Sequence, residues 1–289
     1  MREHDVFSAD GTRIRLWRTD VDGPDVLLSP GLGAVPAVWP ELPSARVHSW
    51  YHRGALSSDR PADPSRIEVS DHVADALAVL DDGGVERCVV MGWSMGVTVA
   101  AELALRHPDR VTGLMLVAGA PGDTFASALG IPGVPAAVRR LIGVGGVTAL
   151  KAAGPLLDAV LHRVPVPDLG GRLVGSLRHY LQHDWGWYFT LALALGRTPR
   201  LDLTGVTCPT TVLAGRYDFL ASADGVLGAV AALPQARVRV LPNTHFLPLE
   251  DPGVIVDELE LLLDRADAVR RAVQEDVDGP LTSRSRPRA

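Results

Sequence analysis

The stretch Cys88–His107, CVVMGWSMGVTVAAELALRH, decides how the rest of the chain is read. Cys88 to Met91 is short, apolar and β-branched, the pattern of a buried central strand. Val97 to His107 is rich in Ala, Leu and Glu, which favour helix, and Pro108 stops it. Only the residues from Gly92 to Gly96 are left to turn the chain from strand to helix. So tight a turn strains the backbone at Ser94, exposes its side chain, and leaves no room for a Cβ at Gly92 or Gly96. A Gly-x-Ser-x-Gly pentapeptide arises easily by chance in a chain with 29 Gly. The strand before it and the helix after it are what give it the character of a nucleophile elbow.

At 289 residues and 47% hydrophobic, the chain is long enough for a large core plus one inserted unit. A net charge of -6 argues against a surface built for nucleic acid. The opening MREHDVFSAD is charged from its second residue, unlike a secretory signal. No later apolar segment is both long enough and free enough of charge to span a bilayer, so a cytoplasmic location is expected. Cys88 and Cys208, the two cysteines, sit at strand starts and read as small buried hydrophobes, with neither a disulfide framework nor a metal site implied.

Upstream of the elbow, Val6 to Arg18 holds Asp10-Gly11 between two alternating segments, a hairpin signal at a sheet edge. Val26 to Ser29 is an apolar strand opening into Pro30-Gly31-Leu32-Gly33-Ala34. That loop reads either as an ordinary turn or as one whose glycines let the Leu32 amide face a developing oxyanion. Arg46 to Tyr51 is a further strand, followed by HRGALSSDRP. There His52 and Arg53 are candidate substrate ligands, although an Arg so placed more often ties loops together. Ser70 to Asp82 is an amphipathic helix closed by Gly83 and Gly84.

Downstream, Val111 to Val117 is another apolar strand. Strands separated by helices of ten to fifteen residues imply crossovers and a parallel sheet covered on both faces. The alternation breaks between 123 and 202, where only helical patterns divided by Pro and Gly appear: Ala136–Ile142, Val147–Val160, Arg172–His183 and Trp185–Leu195. This is an inserted helical cap on a core formed by 1–122 and 203–268. Acids are absent from the cap between Thr124 and Leu157, which favours an apolar ligand. Trp185, Trp187 and Tyr188 are expected to share a pocket with Trp93 and Phe246. Strands resume at Thr210–Ala214 and Val238–Leu241, with a helix at Val226–Leu233 and a last helix through Ile255, Leu259 and Leu262. The end of the chain, 269–289, is polar and Arg-rich, and a disordered tail is expected.

Leu32, Ser94, Asp218 and His245 are all predicted at carboxyl ends of parallel strands, where open sheets gather their chemistry. A serine hydroxyl needs an imidazole to take its proton, and the imidazole needs an acid on its other nitrogen. Of the nine histidines, His245 alone combines the chain order Ser, Asp, His with a loop at a strand end. Asp123, after the preceding strand, is the competing acid.

SPGLGAVPAVW, HRGALSSDRP, GWSMG, RHPDRVTGLMLV, GRYDFL and NTHFLPLEDP together resemble the α/β-hydrolase superfamily, in its compact branch with a helical cap after the sixth strand. The resemblance covers about residues 5 to 265. It implies a mostly parallel eight-stranded α/β sheet with helices on both faces. It also implies Ser94 as nucleophile, His245 as base, Asp218 as acid, and the amides of Leu32 and Met95 as the oxyanion hole. Two departures stand out: Pro30 occupies a position often held by His, and HRGALSSD lacks the usual second Gly. With no carboxylate at position 94, dehalogenase-type and epoxide-opening chemistry is disfavoured. The expectation is a serine hydrolase acting on a small or medium, largely apolar ester or lactone. It would need no cofactor or metal, and its partner would be a small acyl substrate. A perhydrolase or haloperoxidase, a carbon-carbon bond hydrolase, and a non-catalytic ligand-binding protein on the same fold are the alternatives.

Overall fold

Strand β5, Cys88–Trp93, is buried along its whole length and lies in the middle of the sheet. In the computed structural model, which describes residues 1–128, 134–166 and 171–278, eight strands follow the order β1-β2-β4-β3-β5-β6-β7-β8. They are β1 (Arg2–Phe7), β2 (Arg13–Arg18), β3 (Asp25–Ser29), β4 (Arg46–Trp50), β5, β6 (Val111–Val117), β7 (Thr210–Gly215) and β8 (Arg237–Leu241). The β1-β2 hairpin and the β2-β4 pair are antiparallel, and every other pair is parallel. The expected fold class is what the chain forms.

Alternation along the central strands divides the core between two faces. Leu27, Val90, Leu114 and Val212 point to one side, where they meet α1 (Val69–Asp82), α2 (Gly96–Arg106) and α8 (Ala223–Val230). Val26, Val89, Met91, Met115 and Leu213 point to the other, against Ile255, Leu259 and Leu262 of α10 (Pro252–Asp278). With both faces covered, these strands read as continuous apolar runs.

Between β6 and β7 the chain forms α3 (Thr124–Ser127), α4 (Ala136–Ala152), α5 (Gly154–Leu161), α6 (Arg172–Tyr180) and α7 (Trp185–Gly196). The expected break within 143–146 is absent. Gly143 lies against the Phe125 ring with no space for a Cβ, so its glycine serves packing, and the helix runs on until Ala153-Gly154-Pro155 ends it. The expected disordered tail is also revised. α10 continues to Asp278, ten residues past the boundary at 268, supported by Asp267 pairing with Arg270 and Arg271 one turn on. The rest of that tail, 279–289, lies outside the described residues. Among the described residues no single helix is long and apolar enough to cross a membrane. α4 and α5 reach that composition only together, across a 64° bend.

A buried polar block fastens the edge hairpin to the core. The Arg53 guanidinium forks onto Asp75 at 2.8 and 2.7 Å and reaches Asp10 at 2.5 Å. It also donates to Ser8 Oγ and to the carbonyls of Arg66 and Asp71. It is therefore a loop tie, not a substrate ligand. Burial opposes charge on Asp10, yet the Arg53 bond and the Thr12 amide outweigh it and hold the carboxyl near about 2. Beside this block, the His52 and His72 rings meet through their Nδ1 atoms at 3.2 Å. Burial pushes both rings down to about 3, helped at His72 by the Arg53 guanidinium and at His52 by the repulsion the two rings would feel if both were protonated.

Two stability predictions follow from these buried groups. Removing Arg53 strands Asp75, so Arg53→Ala is expected to cost about 3–5 kcal/mol in urea unfolding at pH 7. A loss below 1 kcal/mol would show the tie to be dispensable. His52 and His72 stay neutral when folded but take up protons below pH 6.5 when unfolded. Their contribution is complete above pH 6.5 and is lost as pH falls toward 3. The pH slope of unfolding free energy between pH 6 and 4 should therefore be shallower in a His52→Gln/His72→Phe variant than in wild type, by up to two protons' worth. Equal slopes would refute the assignment.

Candidate active site

Ser94 sits at φ 56°, in the left-handed region, directly after β5 and before α2. The conformation is held from both sides. The Ser94 amide donates to the Val117 carbonyl at 2.9 Å. A Cβ on Gly92 would strike the Gly96 carbonyl, and one on Gly96 would strike the Ser29 carbonyl. The elbow is thus wedged between its own helix and β3.

His245 follows β8, and two features of the neighbouring Trp93 hold its loop. The indole Nε1–H donates to the His245 carbonyl at 3.0 Å, and the two rings pack at 5.8 Å. Asp218 follows β7. Its Oδ1 accepts the amides of Leu220 and Ala221, both at 2.8 Å, leaving Oδ2 aimed at His245 Nδ1 at 2.9 Å. On the far side of the ring, His245 Nε2 lies 2.7 Å from Ser94 Oγ. A carboxylate only accepts, so the ring proton belongs on Nδ1, which leaves Nε2 bare to receive the serine proton.

The competing acid is elsewhere. Asp123, itself in the left-handed region, puts both carboxylate oxygens on Arg140 at 2.9 and 2.6 Å. The amides of Leu32 and Met95 lie in the two turns flanking Ser94, and among the described residues neither donates to a protein acceptor.

A cavity of about 330 Å³ opens at Ser94 and His245. Trp93, Tyr188 and Phe246 line it as expected, but Trp185 and Trp187 do not. Trp185 packs behind the wall against Tyr180 and Tyr188, at 5.3 and 5.2 Å. Trp187 turns toward the core, where its Nε1–H donates to the Arg53 carbonyl at 2.8 Å and its ring carries the Arg60 guanidinium. Helix α6 supplies the wall instead, through Leu173, Leu177 and Tyr180. Those three share one helical face, a signal legible in the sequence but outranked by the aromatic content of α7. Tyr180 and Tyr188 join hydroxyl to hydroxyl at 2.7 Å, and burial pushes both phenols up.

Comparison with known proteins agrees with this architecture. Residues 24–134 match the family model described as alpha/beta hydrolase fold. A putative carbamate hydrolase RutD from Caulobacter segnis is 36% identical over 99 residues, 32% of this chain and 37% of its own length. With a second Caulobacter RutD the match reaches 46% of the relative, so the matched region spans less than half of these proteins. A pimeloyl-[acyl-carrier protein] methyl ester esterase from Aeromonas hydrophila is 28% identical over 254 residues, 82% of this chain and 94% of its own. Among solved structures, the enol-lactonase from Burkholderia xenovorans LB400 superposes with a TM-score of 0.66 at 24% identity, covering 88% of this chain and 97% of the other. Strand order, elbow and the family-model match over residues 24–134 agree on one conclusion: the chain has the α/β-hydrolase fold.

Proposed function

We propose that the protein hydrolyses small or medium, largely apolar carboxylic esters or lactones through an acyl-enzyme on Ser94. The observation that carries this reading is the unbroken run of two hydrogen bonds, Ser94 to His245 to Asp218, opening on an apolar cavity. In the first half, Ser94 Oγ attacks the substrate carbonyl carbon while its proton passes to His245 Nε2. The carbonyl oxygen gathers negative charge between the Leu32 and Met95 amides. Collapse expels the alkoxide, which takes the proton from His245, and Asp218 stabilises the transient imidazolium. In the second half, water repeats the attack on the acyl group with His245 as base. The acid leaves and Ser94 regains its proton.

The cavity supports the substrate class. Apart from His245, none of its described lining residues is ionisable near neutral pH. A carboxylate on the substrate would lose its hydration there without gaining a cationic partner. Relatives point the same way: one is named a methyl ester esterase, and a structural neighbour is named an enol-lactonase.

A fluorophosphonate probe should label Ser94 in wild type and nothing in Ser94→Ala, and an unlabelled wild type would overturn the proposal. Asp218→Asn is expected to lower kcat by about 10⁴ through loss of the correct His245 tautomer. Activity near wild type in that variant would remove Asp218 from the mechanism. An uncharged hexanoate ester should exceed an ester of matched length ending in a carboxylate by about 10² or more in kcat/KM. Equal turnover would place an unrecognised cation in the pocket.

A further inference from the structure

The loop that carries the Leu32 amide is gripped by histidines at both ends. On the core side, His52 Nε2 lies 2.9 Å from the Pro30 carbonyl. On the cap side, His183 Nε2 lies 3.1 Å from the Gly33 carbonyl. A carbonyl oxygen only accepts, so each ring must present an N–H there. Neutral His52 then has a bare Nδ1, which receives the Nδ1–H of His72. The cap side has a matching brace, because His162 Nε2 donates to the main-chain carbonyl of His183 at 3.0 Å. Four of the nine histidines thus form two relays that end on the carbonyls flanking Gly31-Leu32.

The packing around Gly33 makes the cap side exacting. Gly33 is at φ 73°, and a Cβ there would lie 2.7 Å from His183 Nε2 and about 3 Å from both Tyr180 and Tyr188. The two tyrosines are themselves joined through their hydroxyls. His183 is 3% exposed, so bulk solvent does not compete for its bond to the Gly33 carbonyl.

We infer that His183, with His52 opposite it, is a positioning residue for the oxyanion loop: the cap fixes the direction of the Leu32 amide by holding the carbonyl of the next residue. This rests on the reading of Ser94 as nucleophile and Leu32 as oxyanion donor. Without His183 only the Ala34 amide, donating to the Gly31 carbonyl at 3.0 Å, still holds the peptide joining Gly33 to Ala34, and the Leu32 N–H, which shares its peptide with that Gly31 carbonyl, aims less well at the oxygen developing charge. The loss falls on the transition state, where charge is greatest, and little on the neutral ester. The cap is then part of the catalytic apparatus as well as a wall of the pocket.

The test compares wild type with His183→Leu, His183→Asn and His183→Gln on a neutral p-nitrophenyl ester, with a trifluoromethyl ketone as an oxyanion-forming inhibitor. Leu removes the donor and Asn ends one bond short of the carbonyl, whereas Gln carries its N–H near the Nε2 position. In Leu and Asn, kcat should fall about 10- to 100-fold with KM changed less than about threefold, and ketone affinity should fall in the same proportion. Gln should recover most of the loss. Should Leu fail to fold, Asn alone carries the comparison. A raised KM with unchanged kcat, ketone binding that does not follow kcat, or a Gln variant as impaired as Leu would each overturn the inference. Failure of wild type to label with fluorophosphonate would bring down the serine-hydrolase reading, and this inference with it. A labelled wild type beside an undisturbed Leu variant would bring down the inference alone.

Discussion

The tight approach of backbone to backbone at the elbow is the constraint on which the rest of the structure depends. Between the end of β5 and the start of α2 the chain passes so close to its own helix at Gly92, and to β3 at Gly96, that neither position admits a side chain. Ser94 is the residue pushed into the left-handed region as a result. That backbone conformation is unfavourable for a non-glycine residue, by roughly 1–3 kcal/mol. It persists because the neighbouring sheet and the helix packed on it are buried and not free to relax. A serine at the tip of such a turn projects its hydroxyl over the carboxyl edge of the sheet, where the loops after β7 and β8 can meet it.

Around that fixed point, polar contacts set each partner by a different route. Asp218 is oriented by two amides of its own turn, and His245 by an indole one residue before the serine. The loop that carries Leu32 is bonded by rings from both the core and the cap. Arg172 adds a second cap contact, donating to the carbonyls of Ala37, Val38 and Pro248. It thereby links the turn after that loop to the helix after His245. These groups are short-range and directional, so the geometry in front of Ser94 is fixed mainly by hydrogen bonds laid over an apolar scaffold.

Much of this was legible in the sequence, and the limits have physical reasons. Strands such as Val111–Val117 announce themselves because burial on both faces demands unbroken apolar runs, and the elbow because only glycine fits beside it. The cap was harder. Gly143 looks like a helix breaker, but its partner Phe125 lies eighteen positions away and no local pattern reveals that contact. Trp185 and Trp187 are large and apolar, which predicts burial but not direction. Trp187 answers to Arg53 and Arg60 in the core, leaving the pocket wall to the plainer helix α6. The roles of His52, His72, His162 and His183 were invisible for the same reason: each acts on a carbonyl or ring far off in the chain, and a lone histidine carries no periodic signal.

The position of the cap between β6 and β7 also bears on how the chain is made. As it leaves the ribosome, β6 emerges with one edge paired to β5 and the other open, since β7 lies beyond the whole insertion. Translation at about 5–20 residues per second puts the strand that covers this edge roughly 5–19 s behind. For that interval an apolar strand, Val111–Val117, stands bare at the edge of a half-built sheet. Nascent chains of this length are where chaperone capture and mispairing with neighbouring polypeptides would concentrate.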